Sequence, residues 1–380
     1  MNSAKYVFIH SEEIERYHYP ETCPFKAERA GLTRSILTGA NSYTGDDRFE
    51  VSPRPLTGPE LFLFHTPEYI ERLQRVSCGI IDSTDLFAGL GTDDCPIFAD
   101  LYKYAILAAG GTAVAARCIL DHGNTRVAFN PSGGYHHAYA DKAGGFCYIN
   151  DVAIGCRLLA NAGKKVFCLD LDVHHGNGTQ SAFYSDPSVF TVSLHESGTT
   201  LFPWGGFETE IGEDAGKGYN VNLPFPAGTD DDIYCAAFRE IVPPLIAAYN
   251  PDIIVLEAGM DVLSVDPLAH LKMTNNAFAE LAPLVKGFEK PILMVGGGGY
   301  NPQATARGWA LLWTILCGIE PEYDMSIGMG GDFLGNSEWN AGLRDMRIYA
   351  HIEDRVRIQA EVNTAVEYIK KTVFPIHGIS

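Results

Sequence analysis

The stretch Lys164–Gly178 constrains this chain more than any other. It opens as an apolar run of strand length, Val166–Leu169, and closes in two aspartates, two histidines and a glycine-containing turn. The first half reads as a buried parallel strand, covered on both faces. The second half is a poor strand core, because a buried carboxylate or imidazole is costly unless it is paired or holds a metal. Strand side chains alternate, so Asp170, Asp172 and His174 project to one side if the extended geometry persists. Carboxylate and imidazole at the carboxyl end of a strand form half of a metal site, in the region where open α/β sheets bind their ligands. A solvated turn with a helix cap behind it is the competing reading, and Asp-x-Asp-x-His alone leaves the two even.

The rest of the chain decides. Tyr6–Ile9, Phe49–Ser52, Arg126–Phe129, Val189–Leu194, Ile253–Glu257 and Ile292–Val295 read as further strands. Helices are expected over Lys26–Thr38, Glu60–His65, Glu68–Val76, Tyr102–Leu120, Asn150–Ala162, Thr179–Tyr184, Asp230–Ala248, Thr274–Phe288 and Pro302–Leu316. Gly110-Gly111 inside the fourth of these marks close packing, and Asp82–Pro96 and His195–Tyr219 read as long loops. Ile358, Val362, Ala365, Val366 and Ile369 keep helical spacing near the C-terminus. Strands alternating with helices predict an α/β fold, a parallel sheet covered on both faces. No internal repeat or linker divides the chain, so 1–380 is expected to form one domain, with 320–380 a helical extension packed on it.

Charge narrows the partners. The formal net charge is −19, from 47 acidic against 28 basic residues. Such a surface repels nucleic acid and anionic lipid and favours cationic ligands such as lysine-rich segments or polyamines. No secretory signal is visible, and no stretch reads as long and apolar enough to span a membrane. Nine cysteines, an odd count without C-x-x-C spacing, fit reduced thiols in a cytoplasmic protein. No heptad pattern reveals an oligomeric state.

Five strand ends run into unusual loops: Pro131–His137, Asp170–His174, His195 with Leu201–Trp204, Ala258–Asp261 and Gly296–Tyr300. In a parallel sheet these ends share one edge and can build a single site. Gly133-Gly134-Tyr135-His136-His137, Gly145–Asp151, Asp170-x-Asp172-x-His174-His175-Gly176, Asp261-x-x-x-x-Asp266-Pro267 and Gly296–Tyr300 together resemble the histone deacetylase family. The likeness runs in order from about Tyr6 to Leu316 and points to the class I-like branch, which includes bacterial deacetylase-like and acetoin-utilisation proteins. It implies a three-layer deacetylase/arginase-type fold around an eight-stranded parallel sheet, one catalytic zinc (iron in some members), and hydrolysis of acetyl-lysine amides.

Residue by residue, Asp172, His174 and Asp261 match the metal ligands of that family. Two carboxylates and an imidazole leave positions open, as a catalytic rather than structural site requires, and so oxygen-rich a set also suits Fe(II). His136 and His137 match its tandem histidines, with His137 as general base and acid and His136 as electrostatic partner. Asp170 matches the partner of His136. Asn177 stands opposite His137, where many class I members carry aspartate, and a neutral amide stabilises imidazolium less. Tyr300 matches the hydroxyl that binds the polarised carbonyl and its oxyanion. No Gly-Lys-Ser/Thr follows the glycine run, which argues against a phosphate loop.

The resemblance further implies that Phe146 and Phe202 wall a lysine channel lined by Gly145, that Asp94 grips the substrate backbone at the rim, and that Leu268 is a lid residue. Arg29, Gly133 and Gly134 match the lining of an internal acetate cavity. Cys95 and Cys147 match a pair that is redox-active in some relatives, two buried thiols being the equal alternative. Asp170, Asp172, His174, Ser193 and Leu194 match a structural potassium site, and Phe183, Asp186 and Val189 a second monovalent site. The implied partner is an acetylated lysine of a protein or peptide, with acetylpolyamine the alternative. A ureohydrolase, which needs a two-metal cluster, and a non-catalytic acyl-lysine binder, which needs a broken site, are the rivals.

Overall fold

The computed structural model describes residues 5–319 and 342–380. The seven stretches read as strands are strands: β1 (Tyr6–Ile9), β2 (Arg48–Val51), β3 (Val127–Asn130), β4 (Val166–Asp170), β5 (Val189–Glu196), β7 (Ile253–Glu257) and β8 (Ile292–Val295). An eighth, β6 (Asn220–Phe225), follows the long loop and was not expected there. Its apolar residues Val221, Leu223 and Phe225 alternate with Asn220, Asn222 and Pro224, and Pro224 is tolerated because β6 is an edge strand. The sheet order is β2-β1-β3-β8-β7-β4-β5-β6, and every pairing is parallel.

All five residues of β4 are buried, because both faces of the sheet are covered. Phe167 and Leu169 face a core shared with helices Asp231–Tyr249, Asn275–Lys286 and Pro302–Cys317. Val166 and Cys168 face the opposite core, shared with helices Leu101–His122 and Asp151–Asn161. Helix Leu101–His122 corrects one expectation: among the described residues it is long and apolar enough to cross a membrane by length and composition. Here it is a core helix, pressed so closely on its neighbours that a Cβ at Gly110 would collide with the Arg54 carbonyl.

Other differences are at boundaries. The first helix begins at Arg29, the second shrinks to Gly58–Leu61 behind a Thr57–Glu60 capping box, and the Asp82–Pro96 loop contains a 3-10 segment, Ser83–Ala88. The C-terminal helix, Ile352–Thr372, buries Ile358, Val362, Val366 and Ile369 in the core it shares with β6. The glycine-rich stretch Asp324–Gly335 lies outside the described residues.

Candidate active site

The site is built where β4 stops. Pairing ends at Asp170, so the extended alternation does not persist, and Asp172–His174 bend away from the strand. Carboxylates hold the bend by taking its orphan amides: Asp172 N donates to Asp170 Oδ1 (3.0 Å), Val173 N to Asp261 Oδ1 (2.9 Å) and His174 N to Asp172 Oδ1 (2.9 Å). The bend turns His174 Nδ1 toward Asp172 Oδ1 (3.2 Å) and Asp261 Oδ2 (3.0 Å). One ligand atom from each of these three residues lies within 4.8 Å of the others, and all three are buried. Two carboxylates and an imidazole buried around one point fit a divalent cation. Gly298 makes the space, since a Cβ there would overlap the Asp261 carboxylate.

The tandem histidines stand beside this set. His136 Nδ1 donates to Asp170 Oδ2 (2.8 Å), and His137 Nδ1 donates to Asn177 Oδ1 (2.8 Å). The two Nε2 atoms meet at 3.2 Å. Asn150 fixes the backbone they share: its Nδ2 donates to the carbonyls of His136 (3.1 Å) and Ala138 (3.0 Å), while its Oδ1 caps helix Asp151–Asn161 at Ala153 N. Asp151 takes the amides of Gly134 and Tyr135 just before the pair.

Tyr300 closes the ring of groups, its ring 6.3 Å from that of His174. Asp266 anchors it by accepting the Tyr300 amide at 2.6 Å, and the phenol hydroxyl has no hydrogen-bond partner among the described residues. Phe146 packs against Tyr300 at 5.5 Å, and Phe202 against His137 at 5.0 Å. Gly145 has φ +52°, and a Cβ there would strike the His137 ring. Asp94 holds this wall in place: Oδ2 accepts Gly145 N (2.9 Å), Oδ1 accepts the Thr92 hydroxyl (2.6 Å), and its carbonyl accepts Phe146 N (3.0 Å). Leu268 is half-buried and donates its amide to the same Asp266 that anchors Tyr300.

Comparison with known proteins identifies the family. The family model of the histone deacetylase domain matches residues 23–316. The acetoin utilization protein AcuC of Bacillus subtilis is 36% identical over 327 residues, covering 84% of each chain. Histone deacetylase 9 of Arabidopsis thaliana is 36% identical over 341 residues, 87% of this chain and 78% of that one. A crystal structure of an HDAC homologue complexed with SAHA superposes with a TM-score of 0.86 at 32% identity, over 96% of this chain and all of that one. This chain belongs to the histone deacetylase family. It is therefore a deacetylase-family hydrolase with that family's eight-stranded parallel α/β fold.

One residue of this deacetylase site was not singled out in the sequence. Glu257 ends β7 opposite Asp170 in the β4–β7 register, fully buried, with Oε1 3.1 Å from His136 Nδ1. Neither of its carboxylate oxygens has a hydrogen-bond partner among the described residues. Glu257 also forms a second potential ligand group with His136 and Asp172. The only local sign was an acid closing an otherwise apolar strand.

Charge is distributed unevenly around the two imidazoles. Burial opposes a charge on His136, but the carboxylates of Glu257, Asp170 and Asp172 more than offset it and hold the ring well above the ordinary histidine value. Burial, then the neighbouring His136 and His174, hold His137 well below it. Burial and the Asp172 charge push Asp261 up to about 7, His174 opposing.

The remaining expected residues divide. Arg29 is buried, donates to the Gly299 carbonyl at 2.8 Å and lies over the rings of Phe25 and Trp309. A Cβ at Gly133 would meet the Asp151 carboxylate and one at Gly134 the backbone of Gly297, in the glycine run that also carries Gly299. Asp170 lies opposite Ser193 in the β4–β5 register, with Leu194 following, but the Ser193 hydroxyl is engaged by His195 Nδ1 at 2.8 Å. Asp186 and Phe183 share a turn before Val189, and the Asp186 carboxylate is paired with Arg157. Burial pushes the thiols of Cys95 and Cys147 up, which leaves both poor nucleophiles.

Proposed function

We propose that this hydrolase cleaves the acetyl amide of an Nε-acetyl-lysine side chain in a protein or peptide, releasing acetate and the free amine. The observation that carries this reading is the convergence of the Asp172–His174–Asp261 set, the His136–His137 pair and an unpartnered Tyr300 hydroxyl. A zinc or Fe(II) ion held by Asp172, His174 and Asp261 supplies, when bound, Lewis-acid polarisation of the acyl carbonyl and of water.

The residues do the rest. His137 donates Nδ1–H to Asn177, so its Nε2 carries the lone pair that takes a proton from the attacking water. As the C–N bond breaks, the same nitrogen returns that proton to the leaving lysine nitrogen. His136, surrounded by carboxylates, acts as a fixed cation beside the charge that develops. Tyr300 donates its hydroxyl to the acyl oxygen as negative charge accumulates there. Phe146, Phe202 and Gly145 line the channel for the aliphatic stem, with Asp94 and Leu268 at the rim, and Arg29 with Gly133 and Gly134 receives the acetate anion. A potassium ion among the backbone carbonyls of Asp170, Asp172, His174, Ser193 and Leu194 would brace the β4 bend, and the turn at Phe183, Asp186 and Val189 is the second monovalent position. The nine unpaired thiols support a reducing, cytoplasmic setting.

The test is acetate release from an acetyl-lysine peptide and from an acetylpolyamine by metal-loaded protein and its Tyr300→Phe variant. Loss of one oxyanion donor lowers kcat by about 10²–10³. Release from the polyamine alone keeps the chemistry and moves the substrate. One bound metal per chain is expected. Two would favour a binuclear, ureohydrolase-like centre, for which Glu257 beside His136 and Asp172 is the supporting observation.

A further inference from the structure

We infer that Trp204 is a specificity-determining residue that holds a cationic side chain of the substrate next to the acylated lysine, an inference that rests on the deacetylase reading above. Trp204 lies two residues past the channel wall Phe202, in the loop that joins β5 to β6. It is 65% exposed, whereas Trp309 and Trp313 are fully buried and donate their indole N–H to the carbonyls of Ala258 and Ser42. Among the described residues the Trp204 indole has neither a hydrogen bond nor a ring contact.

Its backbone is also unusual. Trp204 has φ +64°, in the left-handed region that a bulky L-residue occupies only at a cost. The loop around it cannot relax. Trp204 N donates to the Leu201 carbonyl at 3.2 Å, and the amides of Gly206 and Phe207 both donate to Glu210 Oε1, at 2.8 and 2.9 Å. The other Glu210 oxygen accepts Gln180 Nε2 at 2.7 Å, and the Gly206 carbonyl accepts His195 Nε2 at 2.8 Å, which ties the turn to the buried ends of the sheet. A strained, braced and unpartnered indole two residues from the channel wall Phe202 is suited to anchor a ligand, and Trp is the best aromatic partner for a cation.

The acidic residues of its own loop point to the sign of the ligand. The same loop carries Glu208, without a hydrogen-bond or ion-pair partner among the described residues, together with Glu210, Glu213 and Asp214. Asp93 is exposed next to the rim residue Asp94, and the whole chain carries a net charge of −19. With the acyl-lysine stem between Phe146 and Phe202, an arginine or lysine adjacent to it in the substrate reaches the indole face with carboxylates near by.

The experiment uses two acetyl-lysine peptides identical except for arginine or its neutral isostere citrulline beside the acetyl-lysine. Acetate release is measured with the metal-loaded full chain, its Trp204→Gly variant and its Trp204→Phe variant. Glycine accepts the positive φ, so that variant removes the indole without adding strain. The wild type is expected to prefer arginine by about three- to tenfold in kcat/KM, carried by KM, as one partly exposed cation–π contact allows. The preference falls to near one in Trp204→Gly and survives in part in Trp204→Phe. A wild type that does not prefer arginine, or a preference that persists undiminished in Trp204→Gly, overturns the role of Trp204. If the wild type hydrolyses neither peptide, the lysine-deacetylase reading itself falls, and this inference with it.

Discussion

His136 and His137 share one turn of backbone and differ in what sets their charge. His136 has Asp170 at 2.8 Å, Glu257 at 3.1 Å and Asp172 at 3.8 Å. His137, buried as deeply, has the neutral carbonyl of Asn177 at 2.8 Å. Burial alone lowers the pKa of either ring, so the carboxylates decide the sign. The strand register is what distributes them: β7 brings Glu257 level with Asp170, and both fall on the same imidazole. On the proposed mechanism the pair divides into a fixed cation and a neutral base.

The largest effect tests that division directly. His137→Ala should lower kcat by about 10²–10⁴, the range of a lost general acid–base group. His136→Ala should lose less, since charge near the reacting atoms is weakened while the proton path through His137 stays. Single-turnover acetate release from both variants checks the order. Equal losses, or a greater loss in His136→Ala, would break the comparison.

A third imidazole shows what burial does without carboxylates. His65 accepts the Asn150 amide at Nε2 (2.9 Å) and faces the Ala140 carbonyl with Nδ1, so it braces the loop that carries the pair. Burial is the main cause that lowers its pKa to about 4. A folded value below the unfolded one means stability present above pH 6.5 and lost as pH falls through 4. The difference is worth about 3 kcal/mol at neutral pH. Urea unfolding of wild type and His65→Gln at pH 7 and pH 4.5 checks this. The gap between the two proteins should narrow at the lower pH, and a constant gap would show that His65 titrates alike in the folded and unfolded states.

Most of this arrangement was legible because local sequence carries it. β3, β4, β7 and β8 are apolar runs that end in abrupt chemistry, and the tandem histidines follow β3 while Asp172 and His174, Asp261 and Tyr300 follow the other three. What escaped depends on partners distant in sequence. β6 has a polar face whose Asn220 and Asn222 look like loop residues until Gln180 Oε1, at 2.8 Å from each Nδ2, accepts from both side-chain amides. Glu257 looked like the last residue of a strand, and only the β4–β7 register places it against His136. The bend at Asp172–His174 likewise follows from Asp261, supplied from beyond β7, which takes the Val173 amide.

Asn177→Asp makes His137 resemble its neighbour and so sharpens the comparison with a smaller effect. A carboxylate on Nδ1 stabilises the imidazolium and raises the His137 pKa. The neutral base is then lost at a higher pH on acidification, so the acid limb of kcat/KM should move up in pH. Matching pH–rate profiles for wild type and variant would contradict the role given to Asn177.

Glu257→Gln is expected to have the smallest effect, and it asks what the third carboxylate beside His136 is for. Glutamine keeps the shape of the side chain and removes its capacity for charge. Within the described residues the substitution removes one side of the 3.1 Å pair with His136 and disturbs no other hydrogen bond or ion pair. The metal-free variant should unfold close to the wild-type temperature, because burial and the Asp170 charge already push the Glu257 carboxyl well above its ordinary range and His136 keeps Asp170. Activity should fall by about tenfold or less, because His136 keeps Asp170 and Asp172. Two readouts taken together separate the alternatives. A modest loss of kcat with metal content unchanged means that Glu257 acts on His136 alone. A drop from two bound metals to one means that Glu257, His136 and Asp172 hold a second cation, and the division between the two imidazoles would have to be redrawn with His136 as a ligand.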